Sequence, residues 1–172
     1  RELMAQAAKM EKTGLPLTHV DSHQHMHMLP GVIDIALDVA ESVHLDAVRI
    51  SRTPLFTAFE GMGQLIGRLG LFTLAELSLW KAKHRHFRVP DHFEGIVAGE
   101  AVHEGHFLHI LKDLRPGTTE VMMHPGTDNA KLIPACGWEH DFEAEMQAIV
   151  SSKVRKMITD KAVKVVNYRD LK

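Results

Sequence analysis

The order in which short apolar segments and helical segments alternate constrains the fold of this chain more than any other feature. Residues 1–13 have helical composition, ended by Gly14 with Pro16 just beyond. Residues 15–22 read as a short strand. Pro30-Gly31 opens a helix over 32–43, with Ile33, Leu37, Ala40 and Val43 on one face. A second strand occupies 46–50 and is broken at Pro54. The apolar stretch 61–86, with Leu65, Leu69, Leu77 and Trp80 at helical spacing, gives one or two helices. A loop over 88–99 and a helix over 100–114 follow, the latter closed by Arg115-Pro116-Gly117. The rest reads as a strand at 119–123, a polar loop to 140, a helix to 161 and a last strand at 163–166. Strands alternating with helices imply an α/β fold of parallel strands joined by right-handed crossovers. Four strands fall short of a closed (β/α)8 barrel, which needs roughly 250 residues. The pattern fits a small open sheet or part of a barrel, as one domain over 1–172.

Composition narrows the partners. Hydrophobic residues make up 45% and charged residues 24%, a globular balance. A formal net charge of -2 with no Lys/Arg run argues against nucleic acid as a partner. No apolar stretch approaches the ~20 residues of a membrane span. Arg1-Glu2-Leu3-Met4 lacks a signal-peptide shape, and the single Cys136 excludes an internal disulfide framework, so a cytoplasmic location is expected.

The chain has 13 His and one Tyr, and the His residues cluster. Between Thr18 and Met28 the histidines and the aspartate fall at 19, 21, 23, 25 and 27. On an extended segment that period of two places His19, Asp21, His23, His25 and His27 on one face. Imidazole and carboxylate are normal ligands for divalent ions. Residues 19 and 27 would lie roughly 26 Å apart along a strand, so one ion takes only one or two members of the run. His23 is the leading ligand, since it sits where strand passes into loop, the place at which sites gather in parallel α/β folds. Asp21 is either a ligand or an acceptor for an imidazole N–H.

Residues 119–126 repeat this design: a short apolar strand delivers His124, and Pro125-Gly126 turns the chain. His124 is either a metal ligand or a general acid, at the same rim as His23 if the strands are parallel. Asp128 in the following loop can bind substrate hydroxyls or serve the turn. Arg49, near the end of the second strand, can bind substrate or form a structural ion pair. His84, His86, His92, His103, His106, His109 and His140 follow no constraining pattern and read as surface residues.

Residues 18–30, Thr-His-Val-Asp-Ser-His-Gln-His-Met-His-Met-Leu-Pro, resemble the central signature of the YdjC-like carbohydrate deacetylases. That family includes chitooligosaccharide deacetylases and a branch associated with hopanoid biosynthesis. The likeness continues through residues 119–126 and into Asn167-Tyr168-Arg169-Asp170-Leu171, and residues 90–95 lean toward the hopanoid-associated branch. The resemblance implies a distorted (β/α) barrel of the polysaccharide-deacetylase type. It also implies metal-assisted removal of N-acetyl groups from an amino sugar or oligosaccharide. The implied cofactor is a divalent ion, Mg²⁺ with Zn²⁺ as the alternative, held by an Asp and two His, the second of which corresponds to His23. His27 is the further metal candidate in the run. The candidate catalytic residues of this chain are His124, as the acid that protonates the departing amine, and Asp21; the resemblance places the carboxylate that takes the water's proton in the family's N-terminal segment. Arg49 and Asp128 are the candidates for holding substrate.

The family's Asn-Ala-Asp-Asp-Phe-Gly strand and its first metal His have no counterpart here, so the likeness is to the C-terminal part of such a barrel. Two other readings stay open: a different metal hydrolase (amidohydrolase or phosphoesterase), and a truncated module that associates without catalysis. An incomplete barrel leaves sheet edges to cover, which favours a homo-oligomer.

Overall fold

The computed structural model describes residues 1–53, 62–96 and 101–172, and for 62–68 the backbone alone. Pro54, the expected start of a helix at 61, and residues 97–100 lie outside the described residues. The chain divides into two compact units, Arg1–Phe93 with Val166–Lys172, and Glu94–Val165.

In the first unit, α1 (Glu2–Glu11) ends ahead of Gly14, whose φ of 70° suits a residue without a Cβ. Helix α2 (Val32–Ser42) follows the left-handed Gly31 and buries Ile33, Leu37 and Ala40 of the expected stripe, with Val43 buried just beyond its end and Ala36 added to the same face. The apolar stretch beyond residue 61 is one helix, α3 (Met62–His84). Its inner face carries Ala75, Ser78 and Ala82, and small side chains there let α3 lie close to its neighbours. Met28, Ile33, Leu37, Val48, Ile50 and Phe87 fill the core; burying each such side chain contributes about 1.5–3 kcal/mol. Lys81 to Asp34, and Arg85 to Asp38 and Glu41, tie the outer edges of α3 and α2.

The expected strands at 15–22 and 46–50 are reduced to parallel bridges, Val20 with Val48 and Ala47 with Arg88. Residues 46–49 run between the other two segments. Val20 N–H donates to Ala47 O and Arg49 N–H to Val20 O on one side. Val48 N–H donates to Arg88 O and Arg88 N–H to Asp46 O on the other. The parallel arrangement stands, but it includes a segment at 88 that the sequence pattern assigns to a loop. Arg88 also donates to the carbonyls of Arg169 (3.1 Å) and Leu171 (2.7 Å), which fastens the returning tail.

The second unit holds α4 (Glu104–Lys112), β2 (Thr119–Val121), α5 (Asn129–Cys136), α6 (Phe142–Val150) and α7 (Ser152–Asp160). The short strand β1 (His92–Glu94) passes from one unit to the next, and its last residue, Glu94, accepts from Met122 N–H at 3.0 Å. The expected long helix to 161 breaks at Ser151, whose hydroxyl caps α7 by accepting from the N–H groups of Lys153 and Val154. Helix α5 falls inside the expected polar loop: Asp128 caps it and left-handed Gly137 ends it. The expected last strand at 163–166 does not form, and Val165 is 77% exposed. Among the described residues no helix is long and apolar enough to cross a membrane. The molecule is thus a mixed α/β protein rich in helix.

Candidate functional site

The histidine run does not stay extended. Ser22 is extended (φ -147°, ψ 159°), but His23–Met28 form a 3-10 turn with Gln24 and His25 in the left-handed region at φ 50° and 58°. This overturns the expectation of one shared face, because period-two alternation requires continuous extended backbone. The imidazoles therefore go separate ways. His19 stacks on Tyr168 with ring centroids 3.7 Å apart and planes within 3°. His25 Nδ1 lies 2.7 Å from Ser51 Oγ. His23 opens the turn and is exposed.

His27 is buried, at 2% exposure. Its Nε2 lies 2.6 Å from the Arg49 carbonyl and its Nδ1 2.7 Å from Ser22 Oγ, while its own N–H donates to that hydroxyl at 2.9 Å. A carbonyl only accepts, so Nε2 carries a proton and donates it to the Arg49 carbonyl. A metal at His27 would require one of these bonds to open. Asp21 and Arg49 are brought together: the guanidinium pairs with Asp21 Oδ2, and Asp21 Oδ1 accepts from Ser22 N–H at 2.7 Å.

In the second unit β2 leads to His124, and a buried carboxylate holds the turn that follows. Glu145 is 1% exposed and sits on the inner face of α6 with Phe142 and Ala148. One of its oxygens accepts the backbone N–H of His124, and the other accepts that of Val102 at 2.9 Å. Two such donors are what lets a carboxylate remain in an apolar interior. His140, expected at the surface, is 6% exposed, with Nε2 3.1 Å from Glu145 Oε1 but not aligned on any acceptor. One donor atom each from His124, His140 and Glu145 lie within 4.8 Å of one another. That set of two imidazoles and a carboxylate suits a divalent ion.

Aromatic rings surround this group. Trp138 stacks on His140 (4.1 Å, 24°) and meets His124 edge-on (5.0 Å, 88°), and His124 meets His140 at 5.4 Å. Asp128 accepts from Lys131 N–H (3.0 Å) as the cap of α5 and pairs with the Lys131 ammonium. Asp141 caps α6, and the Asn129 amide, together with the Ala144 N–H, holds its carboxyl below the usual range. Glu145 and Trp138 are absent from the sequence expectations, which place His140 at the surface. The sign that could have revealed Glu145 is a charge at i+3 within an otherwise apolar helical stripe.

The chain matches the YdjC-like protein family over residues 1–160, and it belongs to that family. It is 27% identical over 171 residues to a carbohydrate deacetylase of Thermoanaerobacter pseudethanolicus, covering 99% of this chain and 59% of that protein. A carbohydrate deacetylase of Mus musculus is 27% identical over 193 residues, with 99% and 61% covered. A crystal structure from Enterococcus faecalis V583, described as a cellobiose-phosphate cleavage protein, superposes with a TM-score of 0.66 at 20% identity, covering 96% of this chain and 57% of the other. The chain spans about three-fifths of the length of these relatives.

Proposed function

We propose that this chain forms part of a metal-dependent carbohydrate deacetylase that removes the acetyl group from an N-acetylated amino sugar or oligosaccharide. The observation that carries the reading is alignment over 99% of the chain with proteins named carbohydrate deacetylase. The (β/α)-barrel reading is part of the same proposal, supported by the parallel bridges of residues 20, 47, 48 and 88.

When bound, a divalent ion would polarise the amide carbonyl and lower the pKa of its water. His23 is the proposed ligand from the histidine run, supported by its exposure at the mouth of the turn. His27 joins it only if its bond to Ser22 or Arg49 opens. His124 protonates the departing amine, and the grip of Glu145 on its backbone fixes where that imidazole starts. Asp21 is the candidate catalytic carboxylate, oriented by Arg49. Arg49 and Asp128 are the candidates for binding substrate hydroxyls. Mg²⁺ is the proposed ion, with Zn²⁺ as the alternative.

A second placement of the ion is favoured by one observation, the convergence of His124, His140 and Glu145. The two placements separate cleanly. Acetate release from N-acetylated chito-oligomers and metal content are measured for the wild type, His23→Ala, His124→Ala and His140→Ala. Loss of metal in His23→Ala alone supports the histidine run, and loss in His140→Ala alone moves the ion to the second unit. Full acetate release in both His23→Ala and His124→Ala sinks the assignment.

A further inference from the structure

Trp138 stands beside His124 with 42% of its surface open, although it is one of the largest apolar side chains in the chain. Its position is fixed from several sides. Gly137, left-handed at φ 62°, ends α5 and turns the chain into Trp138. The indole lies on His140, which is itself buried next to Glu145, and meets Phe142 edge-on at 5.7 Å. Phe142 is in turn locked to the turn after His124. Gly126 N–H donates to Phe142 O at 2.9 Å, and a Cβ at Gly126 would lie 2.9 Å from Phe142 Cβ. Segments 124–126 and 138–145 are thus tied together twice, through Gly126–Phe142 and through His124–Glu145.

An exposed indole held in this way offers a flat apolar surface whose ordering cost is already met, so a ligand gains nearly the full value of contact. Its neighbour is an imidazole that can give or take a proton. A ligand matching both has one face of C–H groups and a rim of polar substituents. A hexopyranose with equatorial substituents has that shape, its axial C–H bonds projecting from one face.

We propose that Trp138 is a sugar-stacking platform: its indole packs on the axial C–H face of a gluco-configured hexopyranose and presents the acetamido group toward His124. This rests on the deacetylase reading and adds to it the residue that selects the ring.

The test uses the two tryptophans of the chain. In a Trp80→Phe background Trp138 is the single indole, and its emission is followed while triacetylchitotriose is added. A saturable change is expected, and none in a Trp80→Phe, Trp138→Phe protein. In acetate-release kinetics Trp138→Ala raises KM about tenfold with kcat within about threefold, and Trp138→Phe recovers most of the loss. Melting curves confirm that the variants fold. A silent Trp138 at high sugar, or an unchanged KM in Trp138→Ala, overturns the platform. Sugar-dependent emission without acetate release from the wild type sinks the deacetylase reading and leaves the platform standing. Acetate release with unchanged KM in Trp138→Ala does the reverse.

Discussion

The side-chain carboxylate of Glu145 accepts the backbone N–H of His124, joining residues 21 positions apart. The same group accepts from Val102, so one buried side chain fixes the main chain at two places. Glu145→Gln turns one acceptor into an NH₂ group that faces an N–H. The expected cost is about 1–3 kcal/mol, because a buried donor loses its partner. Urea denaturation of the two proteins checks it, and an unchanged midpoint would show that the carboxylate bears no such weight.

Much of this centre was hidden in the sequence for a physical reason. The short strand leading to His124 was legible, because an apolar run ended by Pro125-Gly126 marks it. Glu145 and His140 were not: a charge at i+3 in an apolar stripe hints at Glu145, but its burial depends on where α6 lies, and His140 follows no pattern. The histidine run shows the opposite failure. Its alternation was real, but the left-handed residues Gln24 and His25 fold it into a turn that nothing in their side chains announces. Helix α2 was readable because its apolar stripe and its opening Gly31 agree. Helix α5 was masked by Pro134 in its interior, although Asp128 as a cap and Gly137 as a stop were both present.

His23 and His27 should part company experimentally. His27→Ala removes the partner of the Arg49 carbonyl and leaves a cavity, so a loss of about 2–4 kcal/mol is expected. His23→Ala, at an exposed position, should change stability by less than about 0.5 kcal/mol while lowering affinity for the ion. Thermal melts combined with metal titration read both effects. Equal melting temperatures for the two variants would contradict the structural role of His27.

Gly95 has φ 100°, and a Cβ there would overlap the Met122 carbonyl oxygen and lie 2.9 Å from Met122 N. Backbone atoms cannot swing aside as a side-chain tip can. Gly95→Ala is expected to cost about 1–3 kcal/mol, from strain and overpacking together. Chemical denaturation supplies the measurement, and a cost below a few tenths would count against this close approach.

Arg88 grips Asp46, with Nε to Oδ2 at 3.0 Å and a second contact from Nη2, and the guanidinium holds the Asp46 carboxyl below its ordinary value. A carboxylate with a lowered folded-state pKa adds stability above its unfolded-state value, and that stability disappears as pH falls through the lowered one. Because Asp46 is largely exposed, the gain is under about 1 kcal/mol. Asp46→Asn should therefore be slightly less stable than wild type above roughly pH 5, with the gap closing on acidification below about pH 4. Urea midpoints measured from pH 6 to pH 3 test this. A gap that widens in acid would reverse the sign.

Arg88 has a second consequence, which concerns the path of the chain. Its guanidinium holds the carbonyls of Arg169 and Leu171, more than 80 positions further on. The whole of the second unit lies between those residues in the chain, so the first unit closes across an insertion. Closing a loop grows costlier only slowly, by about 0.6 kcal/mol for each doubling of the intervening length. The clasp is therefore nearly indifferent to how large the inserted unit is.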